Sequence, residues 1–342
     1  MKKPLVLLIV LAALVGVAVL TKKQKEAKLS NVARSGVSTR EYLLPNLDVN
    51  AVKTVKIKDK DEEVTLKQGA EQWSVQERSG YPVSFDKLSR ALMDLRDTKI
   101  AGKQLIGQGA WADENLLEPA EGVASGSGTL VKLLDDKDGE IASLIIGDTV
   151  EVSGSNVTPF GRDEQILVRI PQDEDSVWNV GSYLRSLSSA PEDWVDKAFI
   201  SVQDIATLSV TAPEAAESWK VSRKTKDDTD FTFEGLKPEE EYDPAKLSLT
   251  GLLSSASFND VKARADAGDL FKDASKAQIT TFDGFTYDIQ VGKQQKDGAD
   301  KYFMTVAVSA KLPEKREPGK DESEEDKKRL DDEFKAAQDR LK

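Results

Sequence analysis

Residues 129–147 read TLVKLLDDKDGEIASLIIG, in which two apolar stretches flank the dipeptide Asp138-Gly139. An Asp-Gly pair suits a tight turn between antiparallel strands, because glycine adopts positive φ without strain. The sequence therefore predicts a β-hairpin with strands at Thr129–Leu134 and Ile141–Ile146.

Residues 279–292 read ITTFDGFTYDIQVG and predict a second hairpin around Asp283-Gly284. The two turn glycines are 145 residues apart, and Gly147 and Gly292 have the same separation. Upstream, Trp73-Ser74-Val75 resembles Trp219-Lys220-Val221 at an offset of 146 residues. A shared offset of this length indicates a duplicated domain rather than a solenoid. The positions that we assign to packing within the repeats are Trp73, Gly139, Gly147, Trp219, Gly284 and Gly292.

Alternation of apolar and polar residues predicts further strands before and after the hairpins. The predicted strands outside the hairpins are Val52–Lys58, Glu63–Lys67, Gln72–Gln76, Gln165–Ile170 and Tyr302–Val308. Helical spacing of apolar residues predicts a helix after Ser84, a helix after Asp243-Pro244 and a helix over Val177–Leu187. The fold class is thus α+β, with two tandem, structurally similar domains of mostly antiparallel strands packed with helices.

The domain boundaries follow from these elements and from changes in composition. We predict a transmembrane anchor over 1–24, a tether over 25–50, repeat domains over 51–190 and 191–312, and a charged linker and helix over 313–342.

The anchor prediction rests on Leu5–Leu20, an uncharged run with lysines on both sides. Its length is short for a transmembrane helix, and flanking lysines that reach outward compensate for the difference. The residues that face lipid in this interpretation are Leu5, Leu8, Leu11, Leu14, Val17 and Leu20. A cleaved signal peptide is the alternative. More lysines follow the run than precede it, so the positive-inside rule alone places the body in the cytoplasm, and orientation stays open.

The C-terminal segment carries Leu330, Phe334 and Leu341 at spacings of four and seven residues within a highly charged sequence. This stripe predicts a terminal helix, either solvated on the second domain or docked on a partner.

The composition excludes several kinds of chemistry. The chain has no cysteine and no histidine, so thiolate and imidazole catalysis and the usual zinc sites are excluded. The net charge of −12 disfavours nucleic-acid binding, because an acidic surface repels phosphate backbones. The spacing of Ser84 and Lys87 matches one kind of nucleophile pair, but the accompanying motifs are missing. We expect no catalytic residue, no cofactor and no metal.

Several motifs together resemble the family known as domain of unknown function 4340. They are Trp73-Ser74-Val75, the leucine-rich helix over Asp86–Leu95, Leu116-Leu117-Glu118-Pro119, Ile145-Ile146-Gly147 and Ser176–Val180. Trp111–Asn115 replaces the aromatic-Gly step that usually precedes the leucine in this family.

The resemblance implies a bacterial accessory component of an ABC-type transport system of the gliding-motility kind. It would place the body in the periplasm, on a single-pass inner-membrane anchor beside permease and ATPase subunits, against the lysine count. The alternatives are a periplasmic binding module for an envelope polymer or small ligand and, third, a carboxylate-dependent hydrolase.

Overall fold

A computed structural model describes residues 41–120, 125–151, 164–173, 176–236, 239–242, 249, 251–296, 298–311, 315–316, 318–319 and 322–339. The chain divides into two compact units. The first contains the residues up to Lys197 together with Asn259–Val261, and the second contains Ala198–Phe258 and Lys262–Lys342.

The first unit is built on a nine-stranded sheet in which every neighbouring pair of strands is antiparallel. Its strands are β1 (Thr54–Lys58), β2 (Glu63–Gln68), β3 (Trp73–Val75), β4 (Tyr81–Pro82), β5 (Ile100–Gln104), β6 (Thr129–Leu134), β7 (Glu140–Glu151), β8 (Glu164–Arg169) and β9 (Val177–Gly181). Their order across the sheet is β4-β3-β2-β1-β6-β7-β8-β9-β5.

The two faces of this sheet differ because side chains alternate along each strand. Val55 and Ile57 of β1 are buried on one face, together with Val64 and Leu66 of β2. Residues with even numbers on β1, including Lys56, lie on the opposite face, which we call the outer face. The alternation therefore places buried apolar side chains on one face of the sheet and polar side chains such as Lys56 on the outer face.

Helix α1 (Phe85–Asp97) is amphipathic and buries Leu88, Ala91 and Leu92. It contacts the short 3₁₀ helices at Val49–Ala51 and Ser182–Ser186. Ser84 occupies the N-cap position, but its side chain makes no capping hydrogen bond. Phe85, the first residue of this helix, is 62% exposed.

Part of the outer face is covered by the segment at 105–119, which we call the cover segment. Trp111 and Leu116 of this segment form a small buried cluster with Leu167 of β8 and Val177 of β9. The indole nitrogen of Trp111 donates a hydrogen bond of 3.1 Å to the carbonyl of Ile106. The cover segment therefore buries the half of the outer face that lies over β8 and β9.

The second unit is built on a six-stranded antiparallel sheet of order β12-β11-β10-β13-β14-β15. Its strands are β10 (Ile205–Thr211), β11 (Trp219–Ser222), β12 (Thr232–Phe233), β13 (Ser275–Thr281), β14 (Phe285–Lys296) and β15 (Ala299–Ala310). Its core includes Val202, Phe231, Phe285 and Ile289. Helix α2 (Glu324–Asp339) also belongs to this unit.

The structure confirms an α+β class of mostly antiparallel strands in two sheets, with two α-helices in the part of the chain it describes. The neighbour order β2-β1-β6-β7-β8 in the first sheet matches β11-β10-β13-β14-β15 in the second. The duplication itself stays a prediction.

The helix predicted over Val177–Leu187 is wrong. Val177–Gly181 is strand β9, paired with β8 on one side and β5 on the other, and Ser182–Ser186 is a 3₁₀ helix. The helix predicted after Asp243-Pro244 begins outside the described residues. The described residues 251–258 that follow form turns and irregular structure and no helix, with Leu253 at φ 60°.

Residues 41–50, assigned to the tether, contribute to the first unit where the structure describes them. Leu43, Leu44 and Leu47 are buried, and Leu43 N donates a hydrogen bond of 2.8 Å to the carbonyl of Thr98. The predicted anchor over Leu5–Leu20 lies outside the described residues. Within the described ranges no helix is long and apolar enough to cross a membrane.

Candidate functional site

The structure places Gly147 and Gly292 at close backbone contacts. A Cβ atom at Gly147 would lie 2.6 Å from the carbonyl oxygen of Glu114 in the cover segment. At Gly292 it would lie 2.0 Å from the carbonyl oxygen of Leu270, in the 3₁₀ helix Gly268–Phe271. Both distances are too short for any side chain. Each glycine thus allows a crossing segment to pack on the second strand of a hairpin.

The turn glycines Gly139 and Gly284 play different roles. Gly284 has φ 90°, as a glycine-dependent turn requires, whereas in the first hairpin Asp138 takes the positive φ of 58°. Gly139 N instead donates a hydrogen bond of 2.7 Å to the carboxylate of Asp135. Hydrogen bonds from Lys137 N and Gly139 N lower the pKa of Asp135. The expectation of positive φ at glycine holds only in the second hairpin.

The two tryptophans of the predicted repeat do not occupy equivalent strands. Trp73 is buried on β3, which is separated from β1 by β2. Trp219 is half-buried on β11, directly beside β10, and its ring centroid lies 5.9 Å from that of Phe233. The shared sequence offset therefore does not correspond to a shared strand position.

The C-terminal stripe falls on α2. Leu330 and Phe334 are half-buried, and Leu341 lies outside the described residues. Docking of this helix on a partner stays a prediction.

The longest paired strands of the molecule are β14 and β15, which form a ribbon with twelve residue pairs and no shift in register. Strand β13 pairs only with Thr286–Val291 of β14, so the ribbon continues beyond its inner neighbour. Strand β15 ends the sheet on this side, and it pairs with no other strand in the described part of the chain. One row of its backbone N–H and C=O groups is therefore available for pairing with a further strand.

The apolar face of the second unit continues onto this edge strand. Buried Tyr287 and Ile289 of β14 lie directly opposite Val308 and Val306 of β15. Directly opposite residues of an antiparallel pair share a face, so these β15 side chains extend the core face. Met304 and Tyr302 lie on the same face, opposite Val291 and Lys293. Three of these four β15 side chains remain exposed, namely Tyr302 at 66%, Met304 at 36% and Val308 at 43%. We call these three residues and Val306 the edge strip.

The edge strip lacks the features that usually prevent edge-to-edge association. Residues 303–310 read FMTVAVSA, with no charge and no proline, and the ribbon has no bulge. Charges, prolines and bulges are the common means by which natural edge strands avoid pairing with other chains. The only charged residues of β15, Asp300 and Lys301, lie near its start. Lys293 Nζ lies 2.8 Å from the Asp300 carboxylate, and this hydrogen bond raises the pKa of Lys293.

Two ionisable groups with shifted pKa values, Arg316 and Lys87, make contacts within their own units. Arg316 binds the carboxylates of both Glu322 and Asp331, and these bonds lower the pKa of Glu322. A carboxylic acid that acts as a general acid needs the opposite shift. Lys87 donates to the carbonyl of Asp193, and burial lowers its pKa. Among the described residues, no group of three acidic side chains is placed to hold a metal ion.

Sequence reasoning did not identify the edge strip as a candidate site. The strand Tyr302–Val308 was predicted, but a strand's position at the end of a sheet depends on which other strands pair with it. The signal that was present in the sequence is the absence of charge over eight residues of an otherwise highly charged chain.

Comparison with known proteins identifies one family. The model of the family described as Domain of unknown function (DUF4340) matches residues 73–270, more than half of the chain. No curated protein and no solved structure matches the chain.

Proposed function

Because the chain belongs to the DUF4340 family, whose description defines no activity, we propose a function from its geometry: it is a non-enzymatic interaction subunit. Its second unit binds an extended segment of a partner protein by adding that segment to β15. The observation that carries this proposal is the long, bulge-free edge with exposed Tyr302, Met304 and Val308. In strand addition, main-chain hydrogen bonds give affinity and side-chain contacts along one face give specificity.

The partner segment must be extended and apolar on one face. Its main chain pairs with the edge of β15, and its apolar side chains continue the strip formed by Met304, Val306 and Val308. Large apolar side chains that lie together on a protein surface are typical of interaction sites. The partner therefore contains an apolar segment of strand-forming residues that lies near the outer edge of the second unit.

The setting that we propose is the bacterial inner membrane. The uncharged run Leu5–Leu20 supports a single-pass anchor, and the family resemblance supports a periplasmic body beside the permease and ATPase subunits of an ABC-type transporter. In this proposal the anchor holds the body close to the membrane, and β15 recruits a periplasmic part of the transporter.

Co-purification of the full-length chain from its native membranes in mild detergent tests the proposal. We expect the wild type to recover permease or ATPase subunits. The double variant Met304→Lys/Val308→Lys is expected to lose at least about 90% of this recovery, because two charges on the edge strip oppose strand addition. Ala307→Lys/Ser309→Lys is the matched control, since both residues are exposed on the opposite face of the same strand and the variant adds the same charge.

Circular dichroism and thermal unfolding establish that both variants fold like the wild type. Recovery of the wild-type chain alone, or equal recovery of partners by Met304→Lys/Val308→Lys, would contradict the proposal. A homodimer that Met304→Lys/Val308→Lys dissociates would show that the edge pairs with a second copy of the chain instead of a transporter subunit.

The second candidate function is a binding module for a small ligand or an envelope polymer. A concavity within the first unit, on the part of the outer face that the cover segment leaves free, favours it.

A further inference from the structure

The outer face of the first sheet is open over β2, β1 and β6, where it forms a concavity of about 910 Å³. Glu118 and Pro119, at the end of the cover segment, contribute to its wall. The side chains of its floor come from alternate positions on the three strands, namely Thr54, Lys56, Lys58, Glu63, Thr65, Lys67, Leu130, Lys132 and Leu134. This site lies entirely within the first unit, so it does not depend on strand addition at β15.

Among the described residues, three of the four lysines on the floor have no acidic ion-pair partner. Lys58 forms an ion pair of 3.0 Å with Glu63, on the neighbouring strand. Lys56, Lys67 and Lys132 form no ion pair with any residue in the described ranges. We call these three residues the lysine cluster.

The register of the strands brings the lysine cluster together. Lys56 of β1 lies directly opposite Lys132 of β6, and Lys67 lies directly opposite Thr54, two residues before Lys56. Like charges at directly opposite positions repel and destabilise a sheet. Lys56 and Lys132 are also half-buried, which reduces the screening of this repulsion by water. The fold therefore tolerates a locally unfavourable concentration of positive charge.

Thr54 provides an independent observation at the same place. Its side chain is 2% exposed, and its hydroxyl oxygen has no hydrogen-bond partner in the part of the chain that the structure describes. A buried hydroxyl without a partner costs about 1–3 kcal/mol, so nearly all such groups in folded proteins are satisfied. Thr54 of β1 lies directly opposite Lys67 of β2 on one side and Leu134 of β6 on the other. It is two residues before Lys56, so it borders two members of the lysine cluster.

The concavity also has four acidic residues, and one of them, Glu63, lies on the floor paired with Lys58. Asp138 belongs to the hairpin turn and Glu140 to the start of β7. The carboxylate of Glu140 accepts hydrogen bonds from Ser143 Oγ, at 2.8 Å, and from the side-chain amide of Gln172. These contacts hold the Glu140 carboxylate beside Ser143 and Gln172.

We propose that the lysine cluster and the Thr54 hydroxyl bind the phosphate group of a phosphate ester. Lysine ammonium groups are compact point charges with three donors each, and they commonly bind phosphate oxygens in proteins. The phosphate neutralises the cluster and accepts the hydrogen bond of Thr54. A volume of about 910 Å³ lies within the usual range of ligand sites, about 300–1,000 Å³, so the phosphate carries an organic substituent.

Isothermal titration calorimetry on the full chain in a non-ionic detergent, at one fixed salt concentration, tests this site. The probes are inorganic phosphate, glycerol phosphate and phosphatidylglycerol in mixed micelles. Saturable binding of the soluble probes alone identifies a soluble ester as the source, and binding of the lipid alone identifies a membrane headgroup. Binding of both shows that the phosphate group itself is recognised, and each of these results supports the proposal.

Two sets of variants separate a built site from general attraction of anions. Lys56→Met/Lys132→Met is expected to weaken binding at least about tenfold, because the two charges act directly on the phosphate. The matched control Lys60→Met/Lys103→Met removes the same charge from exposed positions outside the concavity and is expected to retain wild-type affinity. Thr54→Val is expected to weaken binding about fivefold, the effect of losing one hydrogen bond.

A second readout distinguishes ligand binding from structural damage. Without ligand, the lysine double variant and Thr54→Val are expected to melt at or above the wild-type temperature, because each removes an unfavourable feature of the unliganded floor. Absence of saturable binding by all three probes would overturn the proposal. So would wild-type affinity in either Lys56→Met/Lys132→Met or Thr54→Val.

Discussion

The guanidinium carbon of Arg169 lies 4.0 Å from the centre of the Trp111 ring, and Arg169 Nε donates a hydrogen bond of 3.0 Å to the carbonyl of Leu116. Arg169 is at the end of β8 and is only 4% exposed. One side chain of the sheet thus makes two different contacts with the cover segment. Since Glu118 and Pro119 are the last residues of that segment, these contacts also position the wall of the phosphate site that we propose.

Replacement of Arg169 by methionine should destabilise the first unit by about 2–3 kcal/mol, because it removes a buried cation–π contact and leaves the Leu116 carbonyl unpaired. Arg169→Lys should recover only part of this loss, since a lysine lacks the planar group that stacks on Trp111. Urea unfolding followed by tryptophan fluorescence measures the effect. Arg90→Met, on the exposed surface of α1, is the control. Equal stability of Arg169→Met and Arg90→Met would refute the role assigned to Arg169.

Gly147→Ala and Gly292→Ala should each destabilise their own unit by about 2 kcal/mol or more, because the new methyl group overlaps a backbone carbonyl that cannot move freely. The calculated approaches, 2.6 Å to Glu114 and 2.0 Å to Leu270, make Gly292 the more sensitive position. Hydrogen exchange resolved by mass spectrometry assigns each loss to a unit.

Gly107→Ala and Gly251→Ala are the controls for these substitutions. Neither glycine has positive φ, and an added Cβ atom would have no neighbour within 4 Å. Their stability should change by less than about 1 kcal/mol, the ordinary effect of replacing glycine by alanine. If Gly292→Ala behaved like Gly251→Ala, the close packing of Leu270 on β14 would be disproved.

Local patterns were sufficient to predict most strands and both hairpins. Glu63–Lys67 alternates between polar and apolar residues, and Thr129–Leu134 precedes an Asp-Gly turn. Neighbouring residues alone therefore determine the conformation of both strands. Val177–Leu187 was misread because Val177, Val180, Leu184 and Leu187 have helical spacing. Pairing of Val177–Gly181 with strands on both sides overrides that local preference.

The candidate sites depend on contacts that no local pattern specifies. Lys56 and Lys132 are 76 positions apart and become neighbours only because β6 pairs with β1. Similarly, the exposure of Tyr302 and Met304 follows from the position of β15 at the end of its sheet. The sequence predicted the strands Val52–Lys58 and Tyr302–Val308, but it did not show which strands lie beside them in their sheets.

The two hairpin turns should respond in opposite directions to substitution. Gly284→Ala should destabilise the second unit by about 1 kcal/mol or more, because φ 90° is unfavourable for any residue with a Cβ atom. Asp138→Gly should leave the first unit unchanged or stabilise it by up to about 1 kcal/mol, because Asp138 already has φ 58°. Thermal unfolding with unit-resolved hydrogen exchange measures both changes. A clear loss of stability in Asp138→Gly would show that its side chain, and not the backbone angle, controls the first turn.

The last prediction concerns the acid sensitivity of the first unit. The carboxylate of Asp59 accepts hydrogen bonds of 2.8 Å from the backbone N–H groups of Asp61 and Glu62, and one of 2.7 Å from Ser189 Oγ. Burial alone would raise the pKa of Asp59, but these hydrogen bonds outweigh it and lower the pKa below 3.8. The folded state therefore binds a proton less readily than the unfolded state. The resulting stabilisation is fully present above pH 3.8 and is lost as the pH falls through the lower folded-state pKa.

Asp59→Asn should destabilise the first unit by about 1 kcal/mol at neutral pH, because the amide keeps the shape of the side chain but weakens its charge-assisted hydrogen bonds. The difference from the wild type should shrink as the pH falls below 3.8, where the wild-type carboxylate becomes protonated. Urea unfolding at a series of pH values measures this difference. Asp61→Asn, at an exposed carboxylate in the same turn, is the control. A difference between wild type and Asp59→Asn that stays constant down to the lowest pH at which the protein folds would show that the Asp59 charge does not stabilise the unit.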